Sequence, residues 1–321
     1  MSSSRTRRGA RLVRRSLHPV RHRLLPWVIL AALLGLAVPA SSSNLAPLVP
    51  VFLAGQVLGV ALNLTPLELR SAGRRLPLIG LVLLVQWTVL PAVGFGLRAL
   101  APTPTLAAGI LICAIAPAEI TSGLMVALAG GDAAVATACM AGSLALSTVL
   151  VPLWLTVGLG AGSRFDPVSL VAELGLSVLL PLLVGVGLRA RFPRLGAWRP
   201  LWLDMSAACL VLVVLAGTGH ARGALLSSAI LPISALALAL LLGGGVAGWG
   251  LGRVLALPRR AAVAVGFPIG IREFGVAIAV AVAVQPPAAG VAGVYGILMV
   301  AGAGTLASWL GRPRESKLAS P

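Results

Sequence analysis

The sequence predicts an all-α integral membrane protein with ten transmembrane helices. Hydrophobic residues make up 58% of the 321 residues and charged residues only 10%, against about 25% charged residues in a typical soluble domain. The mean hydropathy of +1.01 and the long apolar runs exclude a soluble enzyme. The net charge of +17 is confined to short basic clusters between those runs, and aromatic residues are scarce. Nucleic-acid binding is therefore excluded as well.

The lengths of the apolar runs give the number of spans. A helix needs about 20 apolar residues to cross a hydrocarbon core of roughly 30 Å. With proline, glycine and charged residues as boundaries, ten runs qualify, of which the first is short. The predicted spans are 24–40, 46–64, 76–97, 105–130, 133–160, 167–188, 201–219, 225–251, 261–284 and 288–310.

The basic residues predict the orientation of these spans. All but four of the 25 lysine and arginine residues lie in segments that ten spans place on one side of the membrane. Because cytoplasmic loops are enriched in lysine and arginine, we expect both termini in the cytoplasm. The composition, with 24 arginines to one lysine and abundant alanine, glycine and leucine, indicates a GC-rich bacterial genome, so the expected location is a bacterial inner membrane. The four exceptions are Arg98, Arg164 and Arg222 in the opposite loops, and Arg272 within a span.

The chain is predicted to consist of two halves with five spans each. Residues 24–163 form the first five-helix repeat and residues 164–311 the second, which is inverted because five is an odd number. Residues 1–23 form a basic cytoplasmic tail and residues 312–321 a second cytoplasmic tail. The first span also has the form of a signal peptide. Its removal would reverse the charge rule for every later loop, so we expect it to be retained.

Residues for catalysis or metal binding form no recognisable pattern. Cys113, Cys139 and Cys209 lie in apolar runs without paired spacing, and the three histidines form no cluster. Metalloprotease, phosphate-loop and nucleophile-elbow motifs do not occur. The sequence therefore predicts no enzymatic activity, no metal site and no cofactor.

Two spans contain proline, glycine and charged residues at mid-membrane depth, at corresponding positions of the two halves. Proline removes a helical hydrogen bond and clashes with the preceding turn, so the fourth and ninth spans are predicted to be broken. The third span contributes the uncharged amide of Gln86, which either forms a hydrogen bond between helices or lines the site. The predicted helix-breaking residues are Pro117, Gly123, Pro268, Gly270 and Gly275, and the predicted substrate- or ion-binding residues are Gln86, Glu119, Thr121, Ser122, Arg272 and Glu273.

These interruptions indicate a binding site. Non-helical backbone at this depth is tolerated only against protein or a water-filled cavity, and each ionised side chain costs about 2.5–3.5 kcal/mol on insertion scales. Paired discontinuous helices in two halves are typical of the binding site of a secondary transporter. We expect the interruptions to meet, with Glu119 as the natural partner of Arg272. The alternative is that the prolines only kink packed helices and the charges form structural bridges.

Two further patterns concern packing. Gly244, Gly248 and Gly252 form overlapping GxxxG steps, which predict a close approach between helices. Asp132 follows two glycines and is predicted to cap the fifth span.

Four patches of the sequence resemble the bile acid:sodium symporter family, which includes bacterial and plastid carriers of small organic anions. The PGGTASN-like stretch of that family corresponds to residues 117–123, followed by a glycine and an acidic residue at 131–132. Its EVGMQNSGLA-like pattern corresponds to residues 268–277. Its QFxxMPA pattern corresponds to residues 86–92, and residues 63–66 resemble the end of its second helix.

The resemblance implies a panel domain of spans 1, 2, 6 and 7 and a core domain of spans 3–5 and 8–10. Broken helices 4 and 9 cross in the core, substrate sits between the domains, and two sodium ions drive transport. By position, Ser122 and Gln86 match sodium ligands of the family. The other ligands are replaced: an asparagine by Gly123, a serine and a threonine by Ala136 and Met140, a glutamate by Pro268 and a glutamine by Arg272.

These replacements change the coupling that we expect. Alanine, methionine and proline side chains offer no oxygen to a sodium ion, so we expect the family's two sodium sites to be unused. We predict that Arg272 takes over the charge of the cation. A buried carboxylate, Glu119 or Glu273, would then couple transport to protons, and H+ and Na+ both remain candidate coupling ions.

The predicted function is secondary active transport of a small organic anion by alternating access, with the anion facing half-helix N-termini. One alternative is an arsenite-type metalloid efflux permease, for which Cys113 lies near the expected helix but Gly275 replaces the expected glutamate. Another is an intramembrane lipid-modifying enzyme using Glu119, Glu273 or Asp132, although these carboxylates are isolated. The predicted partners are the lipid bilayer and the anion, without nucleic acid.

Overall fold

The computed structural model describes residues 24–39, 44–65, 73–160, 165–220, 222–226 and 228–311. Every regular element in these ranges is helical, and the one strand-like pairing among them is an isolated antiparallel bridge. The all-α prediction is therefore confirmed for the described part of the chain. The two predicted cytoplasmic tails lie outside the described residues.

The helices follow the predicted apolar runs, with ends that shift by a few residues. A 3-10 turn, Ala46–Leu48, precedes the second helix, and a π-helical turn, Gly175–Leu179, lies within the seventh. The helices are α1 (Leu24–Ala37), α2 (Val49–Ala61), α3 (Leu76–Arg98), α4 (Pro104–Ile115), α5 (Ser122–Leu128), α6 (Ala133–Leu159), α7 (Pro167–Arg191), α8 (Arg199–His220), α9 (Ile230–Val254), α10 (Arg259–Gly270), α11 (Phe274–Val284) and α12 (Ala289–Leu310).

Six of these helices, α3, α6, α7, α8, α9 and α12, are long and apolar enough to cross a membrane. Shorter apolar helices form the two N-terminal segments and parts of the two interrupted segments. Many large apolar side chains on the long helices are exposed, as expected of surfaces that face lipid tails rather than water. The described chain is thus a multi-pass membrane protein.

The helices pack in two groups. In one group α8 packs against α1 and α2, and α7 packs against α2. In the other, α9 packs against α10, α3 against α4 and α6, α5 against α6, and α12 against α4 and α11. Helices α2 and α8 of the first group contact α11 of the second, so the second interrupted segment lies where the groups meet.

A row of glycines allows α9 to lie directly on the backbone of α10. A Cβ atom on Gly244 would be 2.7 Å from the carbonyl oxygen of Gly270, and one on Gly248 would be 2.6 Å from that of Gly266. Neither carbonyl can move without distorting α10. The close packing predicted from the GxxxG pattern is confirmed, and it holds α10 against α9 up to the residue where α10 ends.

Asp132 caps α6 as predicted. Its carboxylate accepts a hydrogen bond from the backbone N–H of Val135 at 3.4 Å, which satisfies one of the free donors at the start of the helix. The backbone N–H of Asp132 donates to the carbonyl oxygen of Arg260 at 3.1 Å. This bond fixes the end of one interrupted segment beside the start of the other.

We predict that Gly244→Ala lowers the stability of the protein by about 1–3 kcal/mol, because the new methyl group would overlap the Gly270 carbonyl group. The unfolding midpoint in sodium dodecyl sulfate measures this change. Gly250→Ala in the same helix is the matched control. No atom lies within 4 Å of a Cβ atom placed there, so we expect no loss of stability. Equal losses in the two variants would contradict the packing argument.

Candidate functional site

Both predicted interruptions are present in the backbone. Helix α4 ends at Ile115, the next residue, Ala116, is extended with φ −64° and ψ 153°, and helix resumes at Ser122. Helix α10 ends at Gly270, Ile271 is extended with φ −122° and ψ 135°, and helix resumes at Phe274. Each interruption leaves backbone groups without helical partners inside the protein.

The two extended segments pair with each other. Ala118 and Arg272 form the antiparallel bridge. The N–H of Glu119 donates to the carbonyl oxygen of Ile271 at 3.1 Å, and the N–H of Glu273 donates to that of Pro117 at 2.9 Å. Because an unpaired backbone group costs several kcal/mol in the membrane, the crossing is the means by which each interruption satisfies the other.

The predicted helix-breaking residues take three positions around these interruptions. Pro117 lies within the first extended segment, where its missing N–H is not needed. Pro268 and Gly270 lie in the last turn of α10, and Gly123 and Gly275 in the first turns of α5 and α11. The two glycines in the first turns permit close contacts, because Cβ atoms there would lie 2.5 Å from Thr137 Oγ1 and 2.8 Å from Gln56 Oε1, respectively.

Arg272 satisfies the free carbonyl groups at the ends of both half-helices. Its Nη2 donates to the carbonyl oxygens of Pro268 at 2.5 Å and Ile269 at 2.6 Å, and its Nη1 donates to that of Ala116 at 3.3 Å. In a continuous helix, the N–H groups of residues 272 and 273 would bond to Pro268 and Ile269. The guanidinium replaces those donors, and only 1% of Arg272 is exposed.

The carbonyl ends of the half-helices give this position a negative potential. The last carbonyl groups of a helix carry a partial negative charge, and Arg272 places a full positive charge against two such ends at once. Its backbone N–H, freed from the helix, donates to the hydroxyl oxygen of Tyr295 in α12 at 3.0 Å. A fixed cation thus holds the two interrupted segments together.

Gln86 and Ser143 also lie at the crossing beside Arg272, whose Nε is buried without a hydrogen-bond partner. With its amide oriented so that the oxygen meets the surrounding donors, Gln86 accepts hydrogen bonds from Arg272 Nη1 at 3.0 Å and from the N–H of Ala118 at 3.0 Å. Ser143 Oγ also accepts from the N–H of Ala118 at 2.9 Å and is hydrogen-bonded to Gln86. These side chains bring α3 and α6 to the crossing.

Glu273 caps α11 and reaches the other helix group. Its carboxylate accepts hydrogen bonds from the N–H of Val276 at 2.5 Å and from Gln56 Nε2 in α2 at 2.8 Å. Glu273 is fully buried, and Gln56 is 2% exposed. Both hydrogen bonds favour the ionised form of this carboxylate, whereas its burial opposes that form.

Glu119 lies on the other extended segment with fewer partners. Its Oε1 accepts from the N–H and the hydroxyl of Thr121, both at 3.2 Å. Its Oε2 is buried without a hydrogen-bond partner, as is Ser122 Oγ. The side chain of Glu119 interacts electrostatically with both Arg272 and Glu273.

The expected pairing of Glu119 with Arg272 is wrong as a direct contact. The hydrogen-bond partners of the Arg272 guanidinium are three backbone carbonyl groups and Gln86. The reason is geometric: Arg272 lies opposite Ala118 in the bridge, so its side chain turns back along its own helix end, whereas Glu119 bonds to Thr121.

All six predicted binding residues lie at or beside the crossing, and three further residues join them. Gln56, Ser143 and Tyr295 were not singled out in the sequence. Each is a buried polar group in an apolar helix, and Tyr295 is the only tyrosine of the chain. The single tyrosine was the available signal in the sequence. An isolated serine or glutamine in a membrane span is common and is usually interpreted as a packing contact.

The comparison with known proteins assigns the family. Residues 22–300 match the model of the SBF-like CPA transporter family. The chain belongs to this family. Its members are transporters, so the predictions of a bile acid:sodium symporter relative and of a protein that is not an enzyme are confirmed.

Three curated relatives are similar to parts of the chain. The uncharacterized sodium-dependent transporter YocS of Bacillus subtilis is 27% identical over 66% of this chain and 67% of its own length. The probable sodium/metabolite cotransporter BASS4 of Arabidopsis thaliana is 31% identical over 38% of this chain and 30% of its own. BASS1 of Oryza sativa subsp. japonica, another probable sodium/metabolite cotransporter, is 27% identical over 50% of this chain and 40% of its own.

We predict that Tyr295→Phe lowers stability by about 1–3 kcal/mol, because the buried N–H of Arg272 would lose its acceptor. The unfolding midpoint in sodium dodecyl sulfate measures the change. The control is Thr305→Val, which removes a hydroxyl that donates to Ala301 on an exposed helix face and should shift stability by less than about 0.5 kcal/mol. A Tyr295→Phe protein as stable as the wild type would show that the hydroxyl contributes nothing to the crossing.

Proposed function

We propose that this protein is a secondary active transporter that moves a small organic anion by alternating access, with Arg272 in place of a bound cation. The observation that supports this most directly is the coordination of Arg272 by carbonyl oxygens from both interrupted helices. In membrane transporters, unwound backbone and half-helix C-termini are the groups that coordinate coupling cations.

The described residues do not fit the two sodium ions that the family resemblance implies. Sodium binds several oxygen ligands, but the positions matched to family ligands include Ala136 and Met140, both buried in α6. Gln86, which matches a sodium ligand by position, accepts from Arg272 instead. A sodium ion beside a buried guanidinium would be repelled by it. The sodium dependence in the names of the relatives is therefore not carried over.

Arg272 acts on the substrate through its charge rather than through contact. Its guanidinium donates to four oxygens and is almost completely buried. In a medium of low dielectric constant, such a charge influences a nearby anion over several ångströms. The small organic anion is proposed from the family resemblance and from this fixed positive charge.

A fixed charge cannot dissociate, so the driving ion must bind elsewhere. We assign that role to a proton on Glu119 or Glu273, the buried carboxylates beside Arg272. One arginine and two carboxylates leave one surplus negative charge, and burying an unpaired charge is unfavourable. A proton removes that surplus.

The proposed topology follows the two halves of the chain. Residues 24–163 and 164–311 each provide five membrane crossings in inverted orientation, so α4 with α5 and α10 with α11 are the fourth and ninth crossings. Both termini then lie in the cytoplasm and the protein lies in the bacterial inner membrane. The two helix groups of the fold are the parts that move relative to each other.

The proposed transport can be measured in liposomes containing purified protein, with radiolabelled carboxylates that range in size from pyruvate to cholate. We expect accumulation of at least one carboxylate when a proton gradient is imposed, and none when sodium is the only gradient. No transport of any carboxylate would contradict the function, and accumulation driven by sodium alone would contradict the role of Arg272.

We predict that Arg272→Gln reduces the rate of this transport by at least about tenfold, because the carbonyl groups lose the cation that stabilises them. A tenfold change corresponds to about 1.4 kcal/mol. Added sodium should restore part of the activity by supplying the missing charge. Arg272→Lys keeps the charge and should retain more activity, and the exposed Arg253→Gln is the neutral control. Intact transport by Arg272→Gln without any sodium dependence would refute the replacement of the cation.

A further inference from the structure

Helices α2 and α11 belong to different helix groups, and a side-chain hydrogen bond joins them beside the crossing. Gln56 Nε2 of α2 donates to Glu273 Oε1 at 2.8 Å, and both residues are buried. If the two groups move apart during transport, this bond must break. The Gln56 amide is then on the wall of the space that opens.

We propose that Gln56 is a substrate-binding residue: its amide binds the carboxylate of the transported anion when the helix groups separate, and it binds Glu273 when they are closed. This inference rests on the proposed function, because it needs a substrate that carries a carboxylate. It adds a residue of the first helix group to a site that otherwise consists of residues from the second.

The first support is that Gln56 already binds the chemical group that it would recognise. A primary amide N–H donating to a carboxylate oxygen at 2.8 Å is, when that carboxylate is ionised, a charge-assisted hydrogen bond, which is stronger than one between neutral groups. A substrate carboxylate offers the same acceptor. Exchange of one carboxylate for the other therefore needs no new type of contact.

The second support is that the amide has unused hydrogen-bonding capacity. Gln56 Oε1 is buried without a partner among the described residues, in a helix whose sequence is otherwise apolar. A buried amide oxygen without a donor is unfavourable by about 1–3 kcal/mol. Such a group is poorly explained as packing alone and well explained as one that meets water or a ligand in another conformation.

The third support is the shape of the contact. Gly275 has no side chain, and a Cβ atom there would lie 2.8 Å from Gln56 Oε1 and 3.0 Å from Leu210 Cδ1 of α8. The amide thus occupies space between α2, α8 and the start of α11. This is the boundary between the two helix groups, where alternating access would open a path.

The exchange also links substrate binding to the movement of the groups. While Gln56 binds Glu273, the groups are held together and one of the two N–H donors of the amide is occupied. A substrate carboxylate that takes the amide removes this link, and loss of the substrate lets it form again. Each partner therefore opposes the binding of the other, because the Nε2 hydrogen that Glu273 accepts can be donated to only one carboxylate at a time.

The test uses the liposomes described above, with the radiolabelled carboxylate that the wild-type protein accumulates. Gln56→Leu keeps the size of the side chain but removes its donor. We expect its KM to rise by about threefold to tenfold, less than the full effect of losing a hydrogen bond to a charged group, because the variant also loses the competing bond to Glu273, while kcat changes by less than about threefold. Gln56→Asn, whose shorter side chain cannot reach the same position, should show the same pattern if the leucine variant does not fold.

Gln285→Leu is the matched control. Gln285 also donates from its Nε2, to Thr105 Oγ1 at 3.3 Å, but both residues belong to the second helix group. Its KM should stay at the wild-type value. A Gln56→Leu protein with unchanged KM, or with a reduced kcat alone, would overturn the binding role and leave only a structural contact. If the wild-type protein transported none of the carboxylate probes, the proposed function would be overturned, and this inference with it.

Discussion

The crossing depends on one buried guanidinium. Two membrane helices are interrupted, and each interruption frees carbonyl groups that no water can reach. Arg272 satisfies three of them and the Gln86 amide, and its own backbone N–H bonds to Tyr295. Replacing this side chain would leave several buried acceptors without donors, each unfavourable by about 1–3 kcal/mol. The arginine is thus both the structural centre of the crossing and its fixed positive charge.

The remaining contacts follow from that arrangement. Since Arg272 lies opposite Ala118, the neighbouring residues Glu119 and Glu273 each donate a backbone N–H to the opposite segment. The side chain of Glu273 is left to cap α11 and to bond with Gln56 across the boundary between the helix groups. This carboxylate therefore links the crossing to the first helix group.

Arg272 is a cation that is tethered to the chain, unlike the sodium ion in the names of the relatives. A bound ion can leave when the site opens, and its gradient can drive the cycle. An arginine cannot leave, so it can stabilise the crossing and attract an anion but cannot supply energy. In the proposed cycle the driving force comes from a group that changes its charge, and we assign this role to one of the two buried carboxylates next to Arg272. This is the physical basis for proposing protons as the coupling ion.

The sequence by itself determined the helical segments, the places where two of them break, and the buried charges at those places. Apolar runs, prolines and charged residues act locally, so they can be read without knowing the fold. Only the tertiary structure decided which groups bond there. It paired Arg272 with carbonyl groups rather than with Glu119, and it added Gln56, Ser143 and Tyr295, because hydrogen-bond partners distant in the chain are chosen by helix packing and side-chain rotamers. The donor and acceptor in the bond from Arg272 to Ala116, for example, are 156 positions apart.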